Sequence, residues 1–319
     1  MIRIDTHKSA NVAPEYWRLL KIFMKGKGKI SKLKAYAQRI KGYKPQLRYV
    51  DKGIVDSSTI ALGKPDDIIK DYRSHYKLRT IKPGFVKRMD GYYSEFFGTT
   101  IGDLDPKHTY KDLKISTWLA KELGIKTCPY CNREYTFSRR LKNGREVHPE
   151  FDHFYPKSKY PYLALSFYNL VPSCHTCNHL KMEHEIDINP HYESYEDRGM
   201  SFTLENKNTG GMYDPEKNHW VFDPNNVEIK IKNGNRNVSR LGLEEVYNMH
   251  TDIVADIVTK AQAYNESFYQ SLVDSYSGLG KTPAEIYRLI WGTYMDPNEY
   301  GLRPLSKFTK DVLDELGIK

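Results

Sequence analysis

Four cysteines, one Asp-His pair and two asparagines could carry chemistry in this chain of 319 residues. They read Cys128-Pro-Tyr-Cys131, then Phe151-Asp152-His153-Phe154, then Asn169-Leu-Val-Pro-Ser-Cys174-His-Thr-Cys177-Asn178. All four cysteines of the protein are here, with His148, His153, His175, His179, His184 and His191 close by. Taken alone, Cys128-Pro-Tyr-Cys131 matches a dithiol redox motif, which works by lowering the pKa of its first thiol at a helix N-terminus. The residues after it read as a hairpin, however, and no βαβ pattern precedes it. Cys174 and Cys177 supply the other half of a tetrahedral four-sulfur site, so the spacing predicts structural zinc rather than redox chemistry. With residues 132–173 between the two pairs, such a site staples an inserted element.

The inserted element is where a reaction would sit. Neighbours on a strand point to opposite faces, so Asp152 and His153 have different jobs or the strand bends there. Oxygen ligands from Asp152 and Asn178 suit a hard cation, Mg²⁺ or Mn²⁺, which takes few protein ligands and keeps most of its waters. An imidazole titrates near working pH and suits general-base work. Any one of these residues taken alone would more often be a surface or capping residue. Their joint order, pinned by four cysteines, fits metal-assisted phosphodiester hydrolysis.

The order Cys-x-x-Cys, Asp-His, Asn, Cys-x-x-Cys-Asn with a following Lys181 resembles the zinc-stapled HNH endonucleases of the His-Me finger (ββα-metal) superfamily. The wording Phe-Asp-His-Phe-Tyr-Pro-Lys-Ser-Lys-Tyr-Pro, followed by Asn-Leu-Val-Pro-Ser-Cys, is similar to bacterial HNH proteins of antiphage-defence and mobile-element loci, the Septu type among them. The resemblance spans residues 128–181 and is weak elsewhere. It implies that His153 deprotonates the attacking water and that Asp152 and Asn178 hold the catalytic metal, Asn178 standing where the motif has histidine. It implies that Asn169 positions the His153 ring and its loop, and that Cys128, Cys131, Cys174 and Cys177 bind zinc. The implied activity is endonucleolytic cleavage of nucleic acid, DNA being the expected substrate, to 5′-phosphate and 3′-hydroxyl ends. Nucleases of this kind can be held inactive until a partner, often an ATPase, releases them. The chain has no Gly-x-x-x-x-Gly-Lys-Ser/Thr loop of its own, so an NTPase would be a separate subunit.

Several neighbours carry two readings each. His175 and His179 are four apart and share a helix face, which is read first as solvated and second as a phosphate or metal contact. Lys157, Lys159 and Lys181 could touch a nucleic-acid backbone or be plain surface lysines. Two rival functions stay open: a zinc-stapled nucleic-acid-binding or scaffold protein without catalysis, and a thiol oxidoreductase.

The elements that must position these residues define an α+β protein, predominantly helical, with a central ββα-metal module stapled by a four-cysteine zinc site. The expected regions are a basic helical 1–125, the nuclease module 126–192, and a mixed then helical 193–319. Helices are expected over 13–24 with Pro14 in the first turn, over 30–40, 65–77 and 83–97, and from a cap at Ser116 to Gly124. Strand-like runs at 134–138 and 145–151 flank a turn at Lys142-Asn143-Gly144, and a second pair spans 151–154 and 169–171. A helix follows Cys174 through about Met182. Short strands are expected near 202–204, 220–222 and 227–231, then one long helix from Leu243 to Ala263 by its i, i+3, i+4 pattern, with His250 as a partly buried member. Thr282-Pro283-Ala284-Glu285 reads as a capping box, and a last helix covers 308–316.

Charge is unevenly placed. The net charge is +9, yet residues 1–50 hold 13 Lys and Arg against only Asp5 and Glu15, so the excess is N-terminal. Lys25, Lys27 and Lys29 are the candidates there for a phosphate backbone or a partner surface, against the alternative of a solvated helix face. No run of about 18 apolar residues predicts a membrane span. The N-terminus lacks a signal-peptide core, so the expected location is the cytoplasm, where thiols stay reduced and favour metal over disulfides.

Overall fold

The computed structural model describes residues 2–26, 59–75, 83–207, 213–214, 219–220, 226–264 and 266–318. Lys27, Lys29 and the helix expected over 30–40 lie outside the described residues. The chain divides into two compact units that are discontinuous in sequence. One comprises Ile4–Ile125 and Thr136–Glu185, and the other Met1–Arg3, Lys126–Tyr135 and Ile186–Lys319. The three consecutive regions read from the sequence are therefore not the units seen. The described helices and four small antiparallel sheets fit the α+β class.

The first unit opens with helix α1 (Thr6–Gly26). Its start is seven residues earlier than expected, because Asp5 accepts hydrogen bonds from the backbone of His7 and Lys8 at 2.8 and 3.1 Å and caps it. Pro14 thus lies inside the helix and not in its first turn. Val12, Tyr16, Leu19, Leu20 and Phe23 form its buried face. Short α2 (Thr59–Leu62) and α3 (Pro65–His75) follow, α3 starting on proline with Asp66 and Asp67 in its first turn. Helix α4 (Pro83–Gly98) buries Phe85, Met89, Tyr92, Phe96 and Phe97. Each such side chain contributes roughly 1.5–3 kcal/mol of burial. Tyr16 packs edge-on against Phe96 and Phe167, and Phe97 against Phe151, so α1 and α4 are fixed to the strand that bears Asp152 and His153.

Helix α5 (Ile115–Leu123) ends on Gly124 in the left-handed region, as expected, but Ser116 is not its cap. The carboxylate of Glu146 does that work from outside the helix, accepting the Lys114 N–H at 3.2 Å and the Thr117 hydroxyl. Strands β1 (Arg139–Arg140) and β2 (Glu146–Val147) are a two-residue ladder, shorter than the strands expected, around a turn with Gly144 at φ 80°. Strand β3 (Glu150–His153) pairs antiparallel with β4 (Leu170–Ser173), placing His153 opposite Leu170 and Asp152 opposite Val171. Helix α6 (His175–Lys181) begins at Cys174, whose sulfur accepts the Cys177 N–H at 3.4 Å.

In the second unit, β5 (Ser201–Asn206) pairs with β8 (Val227–Lys232), and β6 (Tyr213–Asp214) with β7 (His219–Trp220). Helices α7 (Arg236–Arg240), α8 (Leu243–Tyr247), α9 (Thr251–Ala263), α10 (Glu266–Gly278), α11 (Pro283–Trp291) and α12 (Ser306–Glu315) complete it. The single helix expected over 243–263 is broken by a 3₁₀ turn at Asn248–His250. Asn248 is drawn to the sheet, exchanging hydrogen bonds with the backbone of Ile229, while Glu244 accepts from Ile231. Asp311 and Glu315 likewise accept from Phe202 and Leu204. Side chains thus satisfy both outer edges of the β5–β8 sheet, which would otherwise expose unpaired backbone donors. The capping box at Thr282 is formed as expected. No described helix is long and apolar enough to cross a membrane.

Candidate active site

Strands β3 and β4 and helix α6 gather most of the residues singled out in the sequence. A cavity of about 990 Å³ is lined by Asp152, His153 and Asn178, with Glu150, Lys157 and residues of α4 among its other walls. His153 is nearly buried, and its Nε2 lies 3.0 Å from the carbonyl oxygen of Ala164. A carbonyl can only accept, so Nε2 carries the hydrogen and the neutral ring keeps its lone pair on Nδ1. Burial, reinforced by the charge of Lys157, pushes the imidazole down to about 3, so it is neutral at working pH. Tyr93 from α4 packs its ring edge-on against the imidazole at 4.6 Å between centroids.

Asn169 is fully buried and acts on the loop between the strands. Its Oδ1 accepts the Tyr155 N–H at 2.8 Å, and its Nδ2 donates to the carbonyls of Tyr155 and Leu163 at 3.1 and 3.2 Å. Ala164, whose carbonyl orients His153, directly follows Leu163 in that loop. Replacing Asn169 with alanine strips the half-buried Tyr155 N–H and carbonyl of this partner and leaves the Leu163 carbonyl with the Ser166 N–H alone. That variant is expected to lose about 3 kcal/mol of stability, read as a lower urea midpoint at unchanged slope. A midpoint within error of wild type would refute the clamp.

Asp152 is 3% exposed and faces a lysine that is completely buried. The Nζ of Lys181 is 3.1 Å from each carboxylate oxygen and donates to the His153 carbonyl at 2.7 Å. The reading of Lys181 as a backbone-phosphate contact is therefore corrected: a side chain with no exposed surface cannot touch a phosphate. Lys157 and Lys159 are reachable but engaged. Lys157 pairs with Asp90 and sits over the Tyr93 ring, and Lys159 donates to the Glu183 carbonyl at 2.9 Å. Lys25 is exposed near the end of α1.

Glu150 went unremarked in the sequence, where it is one acidic residue among many. Its carboxylate accepts the Asn178 amide at 2.6 Å and lies 2.8 Å from His175 Nδ1. Burial alone would raise the Glu150 carboxyl, but these hydrogen bonds outweigh it and hold the group below its usual range. Because an ionised carboxylate only accepts, the amide nitrogen of Asn178 must face Glu150, which turns its Oδ1 the other way. His175 and His179 are exposed with their rings stacked 5.9 Å apart, in keeping with a solvated helix face.

The four cysteines form no disulfide, are buried, and have their sulfur atoms within 4.8 Å of one another. Zinc–sulfur bonds of about 2.3 Å in a tetrahedron need sulfurs about 3.8 Å apart, so the cluster fits a metal ion such as zinc with small adjustments. In each pair a backbone N–H approaches a sulfur at 3.4 Å, from Arg133 to Cys131 and from Cys177 to Cys174. Residues after Cys131 form no helix, which removes the feature a redox dithiol needs. Among the described residues, no other group of three or more His, Cys, Asp or Glu side chains is placed to share a metal. The oxygen donors of Asp152 and Asn178 are of the type that suits a hard cation that keeps most of its waters. No protein-family model, curated protein or solved structure matches this chain.

Proposed function

We propose that this protein is a metal-dependent endonuclease of the HNH type, hydrolysing phosphodiester bonds in nucleic acid, with DNA as its substrate. The observation that carries the reading is the orientation of His153: a neutral ring, its Nε2–H given to Ala164, facing a cavity it shares with Asp152 and Asn178. The order strand, strand, helix in β3, β4 and α6 is the one a ββα-metal module needs. In this reading Nδ1 of His153 takes the proton of the attacking water, as a weaker base than a free imidazole because burial lowers the ring to about 3, and Asn169 holds the loop that fixes the ring. Asp152 and Asn178 hold Mg²⁺ or Mn²⁺, which when bound supplies positive charge to the phosphate and the leaving 3′ oxygen. Zinc in the cysteine cluster is structural. The resemblance in the sequence extends the proposal to an effector of bacterial defence or a mobile element, regulated by a separate ATPase subunit.

One observation favours a second reading. Lys181 already neutralises Asp152, so the carboxylate has a structural partner without any metal. A zinc-stapled nucleic-acid-binding protein without catalysis would use the pair in that way alone.

Nicking of supercoiled plasmid separates the two. With Mg²⁺ or Mn²⁺, His153→Ala is expected to cleave about 10²- to 10⁴-fold more slowly than wild type while melting at a similar temperature. Equal cleavage by both proteins would sink the mechanism. Salt-sensitive DNA binding by wild type without cleavage under either metal would favour the second reading.

A further inference from the structure

The hairpin over 137–147 is unexplained by the catalytic reading. Its ladder is two residue pairs long, too short to be stable by itself. It does not complete a core either, since Phe137, Leu141 and Val147 are all exposed. It is nevertheless held firmly. Ser138 donates to the Thr117 carbonyl at 2.6 Å, Arg140 to the Asp112 carbonyl at 2.8 Å, and Glu146 caps α5. These bonds turn the hairpin's one acidic side chain inward. Arg139, Arg140, Lys142 and Arg145 are left exposed, and among the described residues none of them has an acidic partner. By contrast Lys157, Lys181, Lys307 and Lys310 are each paired with a carboxylate.

The position of this charge matters as much as its amount. Val147 is followed by His148, and His148, Glu150, Asp152 and His153 all line the cavity. Lys114 and Ser116, at the end of α5 that braces the hairpin, line it as well. Arg145 lies seven residues from Asp152, at most about 25 Å along an extended chain. A duplex rises about 3.4 Å per phosphate on each strand, so this reach corresponds to about seven base pairs.

We propose that the 137–147 hairpin is a basic wing that grips the phosphate backbone of the nucleic-acid substrate within about seven base pairs of the scissile bond. Four cations without an acidic partner, on a braced, exposed turn, attract a polyanion by releasing its counterions, and they contact phosphates without reading bases. The wing rests on the nuclease reading for its substrate but not for its test, which measures binding rather than cleavage.

The experiment uses full-length, zinc-loaded protein carrying His153→Ala and a fluorescent 20-base-pair DNA duplex, followed by anisotropy between 50 and 300 mM salt. The variant combines Arg139→Ala, Arg140→Ala, Lys142→Ala and Arg145→Ala. A control with the same net charge combines Lys207→Ala, Lys232→Ala, Lys260→Ala and Lys281→Ala. Each lost phosphate contact is expected to flatten the slope of log affinity against log salt by about 0.9, so the wing variant should lose about 3.6 in slope and the control almost nothing. Equal slopes for wing variant and control would overturn the wing while leaving the nuclease reading intact, provided wild type nicks plasmid. Loss of slope by the control to the same extent means net charge alone is at work, and also overturns it. Absence of salt-dependent binding in the His153→Ala protein itself would overturn both. Arg139→Lys, Arg140→Lys and Arg145→Lys together should restore most of the slope, which a folding defect in the alanine variant would not predict.

Discussion

Stripping zinc from the four-cysteine cluster is expected to lower the melting temperature by about 10 °C or more, because metal binding here is part of folding. The four thiols are all buried, at 5% exposure or less, with their sulfurs within 4.8 Å of one another. As thiolates on a metal they are neutralised, and as bare thiolates in that space they would repel. Without zinc they must protonate or move apart, and either change loosens the loop at Cys128–Cys131 and the start of α6. Structural zinc contributes roughly 10–16 kcal/mol in small zinc-binding peptides, so even a fraction of that exceeds most single contacts. Protein purified without chelator should carry one zinc per chain, and its thiols should resist alkylation until chelator is added. Cys174→Ser should lose both the zinc and the resistance. Substoichiometric zinc together with a melting temperature indifferent to chelation would rule out the site, and would bring back the redox reading of Cys128-Pro-Tyr-Cys131.

The parts of this site that could be read from the sequence were those specified by local order. Two Cys-x-x-Cys pairs announced a cluster, and short apolar runs around Asp152 and Asn169 announced two paired strands, found one or two residues from where they were expected. What could not be read depended on partners far along the chain. Glu146 caps a helix that starts about thirty residues before it, which left Ser116 as the apparent cap. Asn248 interrupts an unbroken helical pattern because β8, some twenty residues earlier, offers it better hydrogen bonds. Glu150 looks like any strand-end glutamate until α6 brings Asn178 and His175 against it. The basic wing was hidden for a different reason. Summed over residues 51–319 its charge is cancelled by acids elsewhere, and only the structure reveals that no described acid pairs with it.

Lys181 is the strongest case of such a long-range partner, and its removal has the second large expected effect. Read as a surface lysine, Lys181→Met would cost almost nothing. In the structure the change deletes a buried cation on Asp152, a carboxylate 3% exposed, and strips a hydrogen bond from the His153 carbonyl. Breaking a buried ion pair from one side costs about 3–5 kcal/mol, because the surviving charge is stranded away from water. The urea midpoint of Lys181→Met should fall accordingly. Neutralising the other side as well should return much of the loss, so Lys181→Met with Asp152→Leu is expected to be more stable than Lys181→Met alone. Cleavage should not return with it. The reading gives Asp152 a second task, holding the catalytic cation, and a leucine cannot perform it. Stability and activity therefore part company in the double variant. If the double variant stays as unstable as the single, the lysine acts by packing and not by charge. If it regains both stability and cleavage, Asp152 holds no catalytic metal, and the pair is scaffold alone.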